Sequence, residues 1–142
     1  MKKKEIIMEK YFVNYNQSLA LKELGFDEPC FGAYDTHKGD EWLLNIKSDF
    51  YYGQFSDKND ACVAPLKSQV FEFFREKHRL EPNIIFREYY YEDGDKNVYE
   101  VNIETNINSD FCLNITPLEG FKSYEEAESA AIDKLIELVK NK

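Results

Sequence analysis

The sequence predicts an α+β fold: an antiparallel sheet, covered mainly on one face by helices, in the order α-β-β-α-β-β-β-α. Three observations carry that prediction. Apolar residues recur at helical spacing in three stretches, near 16–24, 65–79 and 123–140. Short aromatic and aliphatic runs fill the intervals between them. Strong turn chemistry, most clearly Asp93-Gly94-Asp95, separates neighbouring runs.

The elements follow in order. Tyr11, Val13 and Tyr15 form a short extended entry, and a helix is expected over Asn16 to Leu24. Leu19, Leu21 and Leu24 are its apolar contacts, and Gly25 stands at the usual left-handed stop. Cys30 to Tyr34 and Trp42 to Ile46 read as a hairpin across a polar connection. Phe50 to Gly53 either extends its second strand or begins a loop, and Ser56 to Asp60 is loop. Pro65 suits a first helical turn, where a missing N–H costs nothing. Leu66, Val70, Phe73 and Phe74 then recur up to Arg79, and Phe71 widens the stripe.

Residues 83–116 read as a three-stranded meander. Asn83 to Glu92 is its first strand. In the second, Tyr99, Val101 and Ile103 alternate with Glu100, Asn102 and Glu104, the pattern of a half-buried strand. Asn106 to Asp110 turns the chain into a third, where Phe111, Leu113 and Ile115 oppose Cys112, Asn114 and Thr116. Ser123 and Glu126 have the spacing of a capping box, and Tyr124, Ala127, Ala131, Leu135 and Leu138 trace one face of the last helix.

Composition narrows the class. A chain of 142 residues has the size of one domain, expected to span 1–142 with a frayed basic end over 1–10. Eleven Phe and ten Tyr argue against disorder. No apolar run approaches the roughly 20 residues of a membrane span, and Glu9 and Lys10 interrupt any signal-peptide core. Cys30, Cys62 and Cys112 are odd in number and widely spaced, unlike a disulfide framework or zinc site. A cytoplasmic location is the expectation. The net charge of −9 disfavours direct nucleic-acid binding and suits docking on a basic protein surface. Most of that charge falls in residues 81–142. Residues 64–80 are locally basic, and Lys67, Arg75, Lys77, Arg79 and Arg87 could form a stripe with His78.

Catalytic signatures are sparse. A Cys30–His37 pair has no local motif behind it, and no phosphate loop, GxSxG elbow or HExxH occurs. No catalytic, cofactor-binding or metal-binding residue is assigned, and no cofactor is expected. The carboxylates Glu88, Glu92, Asp93, Asp95, Glu100 and Glu104 could gather around a hard cation such as Mg²⁺, or simply line a solvated face. Tyr89-Tyr90-Tyr91 is the more unusual feature. Successive strand residues alternate faces, so at least one ring must face outward beside the acidic turn. Tyr51 and Tyr52 pose the same problem. The candidate partner-binding residues are Tyr89, Tyr91, Glu92, Asp93, Asp95, Glu100 and Glu104, with Tyr51 and Tyr52.

Three blocks carry a resemblance: Leu19 to Gly32, Ala64-Pro65 to His78, and Tyr124-Glu125-Glu126-Ala127 to Val139. Together they resemble short, largely uncharacterised proteins of phages, prophages and mobile elements of Bacteroidetes. The resemblance implies an accessory gene inside an infected or lysogenic bacterium, with no functional residues to transfer. It favours a non-enzymatic inhibitor of host defence, anti-CRISPR proteins included, acting on a host protein such as an RNA-guided nuclease. The alternatives are a metal-dependent enzyme using the strand carboxylates and a structural or assembly protein of a phage.

Overall fold

A computed structural model describes residues 10–35, 42–50, 61–105 and 112–141. The fold is α+β, with helices α1 (Tyr15–Glu23), α2 (Lys67–His78) and α3 (Tyr124–Lys140). The strands are β1 (Cys30–Asp35), β2 (Trp42–Phe50), β3 (Ala61–Ala64), β4 (Leu80–Tyr89), β5 (Lys96–Thr105) and β6 (Cys112–Asn114). They form two three-stranded antiparallel sheets, ordered β2-β1-β3 and β4-β5-β6. The sequence predicts five strands; among the described residues there are six, and β3 is the addition. Its four residues, Ala-Cys-Val-Ala, are too few and too small to show a strand period. No helix among the described residues is long and apolar enough to cross a membrane.

The chain divides into two compact units, Met1–Val70 and Phe71–Lys142, with the division falling inside α2. In the first unit β1 is the central strand. Tyr34, Phe12 and Ala64 form a buried cluster, and the Tyr34 hydroxyl donates to the Val13 carbonyl at 2.5 Å. The entry segment is pinned by backbone bonds from Val13 N to Pro65 O (3.1 Å) and from Lys67 N to Tyr11 O (2.9 Å). Helix α1 starts one residue before the expected Asn16, because Asn14 and Gln17 cap it reciprocally. Its buried face is Gln17, Ser18 and Leu21, whereas Leu19, one step of about 100° further round from Ser18, is exposed. Gly25, at φ +92°, ends the helix as expected.

Pro65 lies two residues before α2 rather than in its first turn. The Leu66 N–H is satisfied instead by the Gln69 side chain at 3.0 Å. The expected basic stripe does not stay free: the Lys67 side chain is buried, and Arg75 meets Glu81 at 3.7 Å. After α2 the chain reverses through Arg79, whose φ of +58° is left-handed and unfavourable for a residue with a Cβ. Replacing Arg79 by glycine is therefore expected to raise stability by about 0.5–1 kcal/mol, read as a higher urea midpoint. An unchanged midpoint would mean that the arginine side chain offsets the backbone cost.

In the second unit, β5 is central, flanked by β4 and β6. One sheet face carries Ile84, Tyr99, Val101 and Ile115, and it packs against Ala127 and Ala131 of α3. Small alanines let the helix axis come close to the sheet. Ile132, Leu135 and Ile136 complete the buried stripe, while Tyr124 at the helix start is exposed. Ser123 caps α3 through Glu126 N, and Glu126 reaches back to Lys122 N rather than to the cap itself.

Candidate functional site

The opposite face of the β4-β5-β6 sheet holds the candidate site. Register fixes its membership: Tyr89 pairs with Lys96, Arg87 with Val98 and Ile85 with Glu100, so these side chains project together, away from α3. Tyr89, Arg87 and Glu100 then meet. The Tyr89 hydroxyl donates to Glu100 Oε1 at 2.5 Å, and Arg87 Nε donates to Oε2 at 3.4 Å. The hydrogen bond to the Glu100 carboxylate holds the Tyr89 phenol above its ordinary pKa of 10.0.

A second wall is built by the chain beyond β6. Ile115 N donates to Val101 O at 3.1 Å, and the Thr116 hydroxyl accepts from Val101 N at 2.8 Å. The chain then lifts away through the turn Pro117-Leu118-Glu119-Gly120, closed by Gly120 N to Pro117 O at 2.9 Å. It returns to β5 at Phe121, which exchanges both backbone bonds with Tyr99. Five residues, Thr116 to Gly120, therefore stand opposite the single residue Glu100. Gly120 is required there: its φ is +74°, and a Cβ would lie 2.6 Å from Val98 Cβ. Val98 is covered as a result, at 7% exposure.

Between the two walls runs an open groove of about 440 Å³. Tyr89 and Tyr91 line one side, with ring centres 6.2 Å apart and planes inclined at 31°. Pro117 and Leu118 line the other, and Glu100, Lys96 and Thr116 supply polar groups. The Lys96 ammonium lies 5.8 Å from the centre of the Tyr91 ring.

Three of the expected site residues, Tyr89, Tyr91 and Glu100, thus come together. Glu92, Asp93 and Asp95 sit exposed in the hairpin turn, closed by Gly94 N to Tyr91 O at 3.2 Å. Glu104 lies at the far end of β5, opposite Glu81, and takes no part in the groove. Tyr51 and Tyr52 lie outside the described residues. All three consecutive tyrosines are exposed, at 38% for Tyr89, 75% for Tyr90 and 52% for Tyr91. Alternation places Tyr90 and Glu88 apart from the groove, where the Tyr90 hydroxyl donates to Glu88 at 2.9 Å.

The carboxylates do not gather into a metal-binding group. Glu88 belongs to the face opposite Glu100, and Glu104 is four residues along β5. Among the described residues no three His, Cys, Asp or Glu side chains come together in a ligating cluster. Cys30 is buried and donates its thiol to the Glu28 carbonyl at 3.3 Å, the behaviour of a core residue; His37 lies outside the described residues.

Sequence reasoning missed the second wall. Pro117 and Gly120 do have turn spacing, but only register shows that they stand over Val98 and opposite Glu100. No family model, curated protein or solved structure matches this chain.

Proposed function

We propose that the chain is a non-enzymatic binding protein that docks on a basic surface of another protein through the end of its β4–β5 hairpin. One observation carries this reading. Three adjacent tyrosines are exposed at a strand end among Glu88, Glu92, Asp93 and Asp95, with no basic residue between positions 88 and 95. Exposed tyrosines contribute contact area and a hydrogen bond at small entropic cost, and grouped apolar exposure on a soluble surface marks interaction sites. The surrounding carboxylates give the site its sign, speeding encounter with a positive surface and rejecting nucleic-acid backbones.

The resemblance to phage and mobile-element proteins supplies the setting: an accessory inhibitor of host defence, whose partner is a nucleic-acid-processing effector such as an RNA-guided nuclease. Such effectors hold their guide and target in positively charged channels. An acidic hairpin bearing tyrosines is complementary to the rim of such a channel.

The test compares the wild-type chain with a triple variant, Tyr90→Ser, Glu92→Gln and Asp93→Asn. These positions lie outside the groove, and exposed substitutions of this kind change stability little. Wild type is expected to retain a host nuclease in salt-sensitive fashion and to inhibit its cleavage of DNA, and the triple variant is expected to do neither. Recovery of no defence or nucleic-acid-processing protein, or equal inhibition by the variant, would reject this reading.

A further inference from the structure

The groove beside the hairpin has a chemistry distinct from the hairpin tip. The Tyr91 ring meets Lys96 with its face, which carries partial negative charge, and Glu100 adds a full one. Both attract cations, and the chain's own cations occupy them only loosely. Lys96 lies 5.8 Å from the Tyr91 ring centre, close to the outer limit of about 6 Å for a cation–π contact. Arg87 reaches Glu100 through Nε alone at 3.4 Å, with its side chain about half exposed. An ionised carboxylate offers about four lone-pair positions, and Tyr89 and Arg87 use two. The opposite wall offers apolar surface at Pro117 and Leu118, with Thr116 and Glu119 as its polar groups. A long stem carrying a planar cation fits such a slot better than a compact ammonium does, because guanidinium stacks on aromatic faces and meets carboxylates side-on. A volume of about 440 Å³ admits one side chain of that length.

We propose that this groove receives an arginine side chain of the partner protein, with the guanidinium between Glu100 and the tyrosine rings and the stem along Pro117 and Leu118. The assignment rests on the reading of the hairpin as a docking surface for a basic protein, and it names the residue type that is read there. The incoming guanidinium replaces the long Arg87 contact. Glu100 and Glu119 line the groove and offset Lys96 and the Arg87 guanidinium, so no excess positive charge is left there to hold a phosphate.

The experiment titrates the full chain with N-acetyl-arginine methylamide and with its neutral isostere, N-acetyl-citrulline methylamide, following backbone amide shifts. Saturable shifts are expected at residues 96–100 and 118–120 with the arginine compound, and binding roughly ten-fold weaker with citrulline. Glu100→Gln keeps an acceptor for Tyr89 and is expected to weaken arginine binding by a similar factor, whereas Tyr90→Phe leaves it unchanged. Equal response to both compounds, shifts confined to other surfaces, or no effect of Glu100→Gln would overturn the assignment. If arginine does not bind the groove while the hairpin triple variant still abolishes partner binding, the groove assignment fails and the docking reading stands. If arginine binds the groove but the triple variant keeps full inhibition, the groove's ligand class stands and docking by the hairpin tip fails.

Discussion

Replacing Gly120 by alanine is expected to lower folding stability by about 2–4 kcal/mol and to abolish the groove. Two costs combine. The left-handed backbone at φ +74° disfavours any L side chain, and the new methyl would stand 2.6 Å from Val98 Cβ and 2.8 Å from its Cγ2. Val98 has little room to yield, since it is buried on the central strand. Urea unfolding would show a lower midpoint at an unchanged slope. Leu118→Ser, at the fully exposed tip of the same turn, is the control and is expected to stay within about 0.5 kcal/mol of wild type. Adding Val98→Ala to Gly120→Ala removes the Cγ contacts but not the Cβ contact, so only part of the loss should return. A Gly120→Ala protein as stable as wild type would show that the excursion does not press on β5.

Phe74→Ala is expected to cost more, about 3–5 kcal/mol. The Phe74 ring is fully buried on α2, edge-on to Phe73 at 5.3 Å and beside His78 at 5.7 Å. Truncation removes its transfer free energy and leaves a cavity in place of the ring. Small domains are stable by only about 5–15 kcal/mol, so the variant should sit near the edge of folding at 37 °C. Phe74→Leu should lose distinctly less, because most of the volume remains. Circular dichroism melts of the three proteins decide the matter. A loss below about 1 kcal/mol for alanine would mean that the helix re-seats without this ring.

The contrast between these residues shows what the sequence made legible. Phe74 belongs to a helical stripe, and periodicity alone placed it in a core. Ala127 and Ala131 were found the same way, as were the alternating Tyr99, Val101 and Ile103. Signals of this kind are local, repeating over three or four residues, and they survive without knowledge of neighbours. Leu19 shows their limit, because an apolar residue counted toward α1's contacts is exposed while the polar Gln17 and Ser18 are buried. The strand β3 shows another: its existence depends on β1 offering a free edge, which four small residues do not advertise. The site divides in the same way. Exposed tyrosine followed from the alternation of strand faces, but the meeting of Tyr89 with Glu100 required the register of β4 on β5. Turn residues 117–120 became part of the groove only through tertiary placement. Glu104 misled for the converse reason: it shares a face with Glu100, yet strand rise carries it about 13 Å away.

The face opposite α3 also ends in a chemical handle. Cys112 is an exposed free thiol paired across to Glu104, on the groove's face but at the far end of the sheet. Glu104 lies six residue steps along β5 from Val98, a span of about 20 Å. A fluorophore attached at Cys112 in a Cys62→Ser background, with Cys30 buried, would therefore share a surface with the groove without obstructing it. The molecule thus brings its own reporter position for watching a partner arrive.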